Sequence, residues 1–354
     1  MKKELLLASA LVGSLGLAST AQAVTMSWSG SHEVGVEGES PDGAGVDSTA
    51  RSGGGQGLAI SLSETTDGGI TIASGFSLLN ESTSLSNSNA GLTLTFTDGS
   101  ALDLVGAGNA SDSHDVAIPA SAGSEGITVA TTNGAPGGID FASGGDAVGF
   151  EWKSAADAFG VSGLSMGLSS SFNNDATAET GTSTSAVESG YGVGVTYVTS
   201  AGDTSVTLGA GYSNASSTNT TATKDEAVGH MGISATTGNL TIGAGYANGD
   251  YHDGAAGAAT QVDATITEAG ATYVSGDLTF NVGIVASEGA DEALGVAGTG
   301  VKDKYEETSA SVSYAVATGV TAVVGWTAQE SQTEGTKADA ESGSSWYVGA
   351  NLSF

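Results

Sequence analysis

The sequence predicts an all-β fold: a 16-stranded antiparallel up-and-down transmembrane β-barrel with a long third loop folded into its lumen. Three observations carry this prediction. Sixteen short runs alternate apolar and polar residues with a period of two. The connections between them alternate long and short, and the aromatic residues gather toward the ends of the runs. Composition agrees. The 354 residues include 56 glycines, only 3 prolines and no cysteine. Few prolines suit strands whose every N–H must pair, and an exported chain without disulfides is held by backbone pairing and burial.

Residues 1–23 read as a signal peptide. Lys2 and Lys3 make the start basic, residues 5–17 are an apolar run, and Ala21-Gln22-Ala23 is a small-x-small cleavage site. The run is too short for a membrane anchor, which needs roughly 20 apolar residues. The mature chain is expected to start at Val24, outside the cytoplasm, with residues 24–354 as one barrel. Without Lys2, Lys3 and Glu4, the 8 basic and 39 acidic residues fall to 6 and 38, a formal charge of −32. Such a balance excludes nucleic acid as a partner, because phosphate binding needs a basic surface. The apolar residues are patterned and not scarce, which excludes disorder.

The runs, in order, are 25–37, 57–64, 69–79, 91–97, 100–106, 146–152, 162–172, 188–198, 203–213, 226–236, 239–248, 265–274, 277–287, 308–315, 319–329 and 344–354. In each, one parity is apolar, as in Leu58, Ile60 and Leu62, or Leu278, Phe280, Val282 and Ile284. Runs 226–236 and 265–274 have mixed parity. The short connections carry turn chemistry: Thr65-Thr66-Asp67-Gly68, Asp98-Gly99, Ser200-Ala201-Gly202, Thr237-Gly238, Ser275-Gly276 and Thr318 before Gly319. Residues 153–161 form a longer turn. The long connections (38–56, 80–90, 107–145, 173–187, 214–225, 249–264, 288–307 and 330–343) then all fall at one rim, as in an outer-membrane barrel. The segment Thr207-Leu208-Gly209-Ala210-Gly211-Tyr212 recurs as Thr241-Ile242-Gly243-Ala244-Gly245-Tyr246, and it reads as barrel redundancy.

Sixteen of the 21 aromatics lie on the apolar parity of their runs and fall into two rings. One ring is Phe76, Phe172, Tyr191, Tyr212, Tyr246, Trp326 and Trp346. The other is Trp28, Phe96, Phe150, Trp152, Tyr197, Tyr273, Phe280, Tyr314 and Phe354. Such girdles mark the two bilayer–water boundaries. Lipid leaves no partner for an unpaired backbone group, so the first run must pair with the last.

The alternating runs, the long loop after the fifth and the ending Trp346-Tyr347-Val348-Gly349-Ala350-Asn351-Leu352-Ser353-Phe354 resemble a Gram-negative general porin. The resemblance implies a homotrimer in the outer membrane, surrounded by lipid and lipopolysaccharide. It further implies passive diffusion of small hydrophilic solutes, a constriction where the third long loop (107–145) meets the wall, and recognition of Phe354 by barrel-assembly machinery. One feature departs from the family pattern. The mature chain has only Arg51, Lys153, Lys224, Lys302, Lys304 and Lys337 as basic residues, with no arginine cluster for the wall, and most of them fall in predicted loops or turns.

Pore chemistry follows from the carboxylates. Glu33, Glu37, Asp103, Glu151 and Glu268 lie on polar parities and are expected to face the lumen. Asp112, Asp115, Asp140 and Asp146 come from the long loop or its edge, and Arg51 is placed with them. Negative walls around water attract cations, so the channel is expected to prefer them. Glu39, Asp42, Asp47, Glu288, Asp291, Glu292, Glu330, Glu334, Asp339 and Glu341 are expected in outer loops, where crowded carboxylates offer oxygen ligands to calcium. Asn248-Gly249-Asp250-Tyr251-His252-Asp253-Gly254 resembles a calcium loop only faintly. No cofactor is expected. His32, His114, His230 and His252 are scattered, so no enzyme is expected. Two other classes share parts of the pattern: a secreted acidic adhesin or surface-layer protein, and a substrate-specific channel such as one for sugars. The second would need an aromatic slide. Only Tyr251, Phe141, Phe159, Tyr305 and Tyr347 remain to build one.

Overall fold

The computed structural model describes residues 24–41, 47–52, 57–80, 91–104, 109–119, 149–172, 187–217, 226–252, 260–292, 302–332 and 340–354. Residues 1–23 and most of the long connections, including 120–148, lie outside the described residues. The strand segments are β1 (Thr25–Pro41), β2 (Asp47–Ser52), β3 (Gly57–Thr65), β4 (Thr71–Asn80), β5 (Leu92–Thr95), β6 (Ala101–Leu104), β7 (Gly149–Lys153), β8 (Leu164–Phe172) and β9 (Val187–Ala201). They continue as β10 (Thr204–Ser217), β11 (Glu226–Thr237), β12 (Leu240–His252), β13 (Thr260–Ser275), β14 (Leu278–Glu292), β15 (Lys302–Ala317), β16 (Val320–Gln332) and β17 (Ala340–Ser353).

Every pairing is antiparallel, and β1 closes the ring against β17 with Val34 opposite Ala350 and Val36 opposite Val348. One end of β1 pairs with β2 and the other with β3, so those two segments form a single stave. The barrel therefore has sixteen staves, as the alternation predicts. Among the described residues, no helix is long and apolar enough to cross a membrane.

Side-chain exposure follows the expected parity. Val282 and Ile284 on β14, Val324 on β16 and Val348 on β17 stand on the outer surface, while Asn281 and Gly283 point the other way. Eleven of the sixteen girdle aromatics are among the exposed apolar side chains. Register aligns them across strands: Trp326 faces Trp346 at one level, and Tyr273 faces Phe280 at the other. Tyr191 and Tyr212 lie with ring centroids 6.2 Å apart. An apolar outside and a polar inside invert a soluble core, and closure leaves no unpaired edge for lipid to meet.

The tight turns share one rim. Gly99, Gly202, Gly238, Gly276 and Gly319 have positive φ, and in the first hairpin Gly69, not the expected Gly68, takes this role. Gly202 has φ +65 and open space where a Cβ would stand. Gly202→Ala is therefore a test of backbone strain alone. It is expected to lower unfolding stability by about 1–2 kcal/mol, with Gly202→Asn costing less. Equal stability of all three in a urea titration would contradict that account.

The strands overrun the predicted ends at the opposite rim. Glu39 and Asp47, expected in a loop, are paired partners on β1 and β2. Glu288, Asp291 and Glu292 belong to β14, Glu330 to β16, Glu341 to β17, and Lys302 and Lys304 to β15. The physical reason is that apolar alternation stops where lipid stops, while the hydrogen-bond ladder continues into water. The calcium-loop resemblance is also strand as far as it is described, since β12 runs to His252. One sector has a low wall: β5, β6 and β7 have 4, 4 and 5 residues.

Candidate functional site

The described part of the long loop, residues 109–119, lies across the polar inner faces of β8 to β13. Glycines on those faces make room for it. A Cβ at Gly167 would meet the His114 ring at 2.7 Å. One at Gly209 would meet the His114 carbonyl oxygen at 2.5 Å, one at Gly232 would meet Val116 at 2.9 Å, and one at Gly243 would meet Pro119 at 2.7 Å. Gly192, Gly194, Gly211, Gly245 and Gly270 border the same segment. Ala110, Ser111, His114, Val116 and Ile118 are buried there. Polar contacts fix the register: Ala110 N donates to Ser169 Oγ at 2.9 Å, and His114 Nδ1 lies 2.9 Å from Thr196 Oγ1. His114 is on the inserted segment and not on a spanning strand. Burial pushes its imidazole pKa below the ordinary value, which favours the neutral ring.

An apolar cluster on the inner wall accompanies the two runs of mixed parity. β11 turns Val228 inward and β13 turns Ala264 and Ile266 inward, where they pack together with Ala247. These side chains are apolar on the lumen face because they meet one another and not water.

Beside the start of the inserted segment, three charges meet on the inner wall. Lys153 Nζ is 3.1 Å from Asp103 Oδ2 and 3.3 Å from Glu151 Oε2. Thr93 Oγ1 donates to Asp103 Oδ1 at 2.5 Å. Glu151 is almost fully buried, and its Oε1 has no hydrogen-bond partner. Two carboxylates about one ammonium leave the patch net negative. Lys153, expected in a turn, ends β7 with its side chain on the lumen side.

The other expected residues are spread around the ring. Glu33 and Glu37 are partly buried on β1, and Glu268 stands on β13 over Gly245. Asp112 is exposed on the inserted segment. Asp115 lies 3.2 Å from His230 Nδ1, and the other nitrogen of that ring is 2.9 Å from the Ser111 carbonyl oxygen. Arg51 is on β2 opposite Gly35. Asp140 and Asp146 lie outside the described residues.

The opposite wall is polar without arginine, since Arg51 is the only arginine in the chain. Thr272 Oγ1 donates to Asn281 Oδ1 at 2.7 Å, and Asn281 Nδ2 to Ser311 Oγ at 3.1 Å. Gln329 Nε2 donates to Glu307 Oε2 at 2.8 Å, and the Tyr305 hydroxyl donates to the same oxygen. The remaining described aromatics make no slide: Tyr347 is buried over Gly35 and Gly349, Tyr305 is tied to Glu307, and Phe159 is in a turn. Among the described residues, no three His, Asp or Glu side chains gather as metal ligands.

A closed sheet with lipid-facing apolar residues outside, polar residues inside and a chain segment laid on the inner wall defines a transmembrane β-barrel channel. The chain belongs to the Gram-negative porin family, whose model matches residues 7–336. It resides in the outer membrane and forms a channel for diffusion; it is not an enzyme. Solved structures share the fold at low identity. OmpT of Vibrio cholerae in its trimer form is 14% identical with TM-score 0.61, over 94% of this chain and all of that one. The channel DcaP of Acinetobacter baumannii is 12% identical with TM-score 0.63, over 96% and 99%. An anion-selective porin from Comamonas acidovorans is 14% identical with TM-score 0.60, over 94% and 100%. No curated protein matches the chain in sequence.

Proposed function

We propose that this porin passes small hydrophilic solutes and ions with a preference for cations. One observation carries the reading. Glu33, Glu37, Asp103, Glu151, Glu268 and Glu307 stand on inward parities, with Asp112 and Asp115 on the inserted segment, while Lys153 is the one lysine with a described side chain on an inward parity. Ions in a water-filled hole with low-dielectric walls feel that imbalance strongly. The fold does not dictate the sign, since an anion-selective porin shares it.

Reversal potentials across planar bilayers in a KCl gradient test the reading. The expected potassium-to-chloride permeability ratio exceeds one, and it falls toward or below one in Asp103→Asn/Glu151→Gln, where Lys153 is left uncompensated. A wild-type ratio below one would refute cation preference.

We also propose a homotrimer, assembled through the low wall. Strands of 4, 4 and 5 residues rise roughly 13–17 Å at about 3.3 Å per residue, against an apolar band of about 25 Å. Another protein surface there would cover what these strands do not. The OmpT neighbour is described as a trimer. Elsewhere the girdles would meet lipid and lipopolysaccharide, and exposed Phe354 would be read by barrel-assembly machinery.

A further inference from the structure

β1 and β17 are the one pair of neighbouring staves that the chain does not connect directly. In a hairpin the turn fixes the register. Here no turn does so. Apolar alternation decides only which side chains face lipid, so a shift of two residues along the seam would satisfy it equally well.

Three aromatic rings from the end of the chain cross this seam and lie on glycines of β1. On the outer face Trp346 stands opposite Gly38, and a Cβ at Gly38 would meet its Cε2 at 2.5 Å. Trp326 flanks Trp346 on the β16 side, so the indole lies toward β1. Phe354 and Gly30 exchange both backbone hydrogen bonds at 3.1 Å, and a Cβ at Gly30 would meet the Phe354 Cε1 at 2.6 Å. On the lumen face Tyr347 stands opposite Glu37, and its ring reaches diagonally to Gly35, where a Cβ would meet Cε2 at 2.5 Å. Its hydroxyl donates to the Val34 carbonyl oxygen at 3.3 Å, and the side chain is almost fully buried. Among the described residues, a Phe, Tyr or Trp ring is among the nearest neighbours of a glycine's Cβ position within 3 Å only at this seam.

We propose that these rings and glycines select the register in which the last strand joins the first. The spacing supports it. Gly30 and Gly38 are eight residues apart, and so are Trp346 and Phe354. Both outer rings therefore find glycine in the same register. A slip of two residues one way would set Trp346 against Val36 and Phe354 against Trp28. The opposite slip would set them against Ser40 and His32. The Tyr347 ring would then fall on Glu33 or Glu37. Each slip loses all three contacts at once, because only glycine lets a ring lie flat on the neighbouring backbone. The proposal is independent of which ions the channel passes.

Disulfide formation reads the register, because the chain has no cysteine of its own. Ser31 and Ser353 are paired, so S31C/S353C reports the register described above. S31C/N351C and E33C/S353C report the two slips, since these positions are now diagonal, about 7–8 Å apart and too distant for a disulfide. Each pair is introduced into the whole barrel, refolded from urea into lipid vesicles and oxidised. Without further changes, only S31C/S353C is expected to cross-link. In a G30V/G38V background that cross-link is expected to fall about 5-fold or more, and a slipped pair to gain what it loses. G229V is the control for losing a strand glycine. Gly229 also stands opposite an aromatic, Tyr212, but the ring is 3.9 Å from its Cβ position, and a turn joins the two strands' neighbours into fixed register. The S31C/S353C cross-link is expected to be unchanged there. An undiminished cross-link in G30V/G38V, or an equal loss in G229V, overturns the proposal. Heat-modifiable migration in detergent gels shows which variants are closed barrels. If G30V/G38V does not close, G38W is compared with G38W/W346G, which returns one ring and one glycine to the pair. Recovery of the S31C/S353C cross-link in the double variant supports the proposal, and no recovery overturns it.

Discussion

Gly209→Leu is expected to lift the inserted segment from the barrel wall. A Cβ at Gly209 meets the His114 carbonyl oxygen at 2.5 Å and Val116 Cγ2 at 2.6 Å, so a larger side chain has no room while residues 114–116 stay in place. The wall cannot yield outward, because β10 is paired on both sides to β9 and β11. Overpacking of this kind costs about 1–3 kcal/mol. The chain has no cysteine, so a single Ser111→Cys is a clean reporter at a fully buried position. If maleimide reaches that thiol only through local opening, the same 1–3 kcal/mol raises the labelling rate about 5- to 150-fold. An unchanged labelling rate in the Gly209→Leu background would mean that the glycine wall does not seat the segment.

Val282→Arg is expected to destabilise the barrel by about 2–4 kcal/mol, whereas Ser313→Arg leaves stability within about 1 kcal/mol. Val282 is 55% exposed on the outer face of β14, between Ala271 and Ala310. Lipid offers an arginine there neither water nor a counter-charge. Ser313, on the neighbouring β15, has the opposite parity and opens on water. An arginine at Ser313 is instead expected to lower the potassium-to-chloride ratio. Urea unfolding of both variants in lipid vesicles compares them directly, and equal losses would mean that the assignment of inside and outside is wrong.

Most of the architecture was legible because two solvents impose it residue by residue. Each spanning strand shows lipid on one side and the lumen on the other, so parity survives in the sequence even where strand propensity is weak. The ends of the strands were not legible. Glu39 pairs with Asp47 beyond the bilayer, where water accepts any polar side chain on either face. The third loop was recognisable by length, but its seat was not. The repeated Gly-Ala-Gly steps at Gly209–Gly211 and Gly243–Gly245 look like idle redundancy in one dimension. In the folded chain those glycines border Ser111, His114, Val116, Ile118 and Pro119. Mixed parity in β11 and β13 was the available signal that apolar side chains pack together on the inner wall. The His230–Asp115 pair had no signal at all, because it joins positions 115 residues apart through a segment whose regular structure is a single 3-10 turn at Asp112–His114.

The seam between β1 and β17 has a consequence for biogenesis. It joins the two extremes of the described chain, with Ser31 opposite Ser353, so no other ladder closes a longer stretch of chain. Contacts so distant in sequence are slow to form, and until this one closes the growing sheet exposes two long templates for mispairing. A chain cut short before its final stave would yield no narrower tube. It would remain an open ribbon, which makes the last few residues the gate between a finished channel and an aggregate.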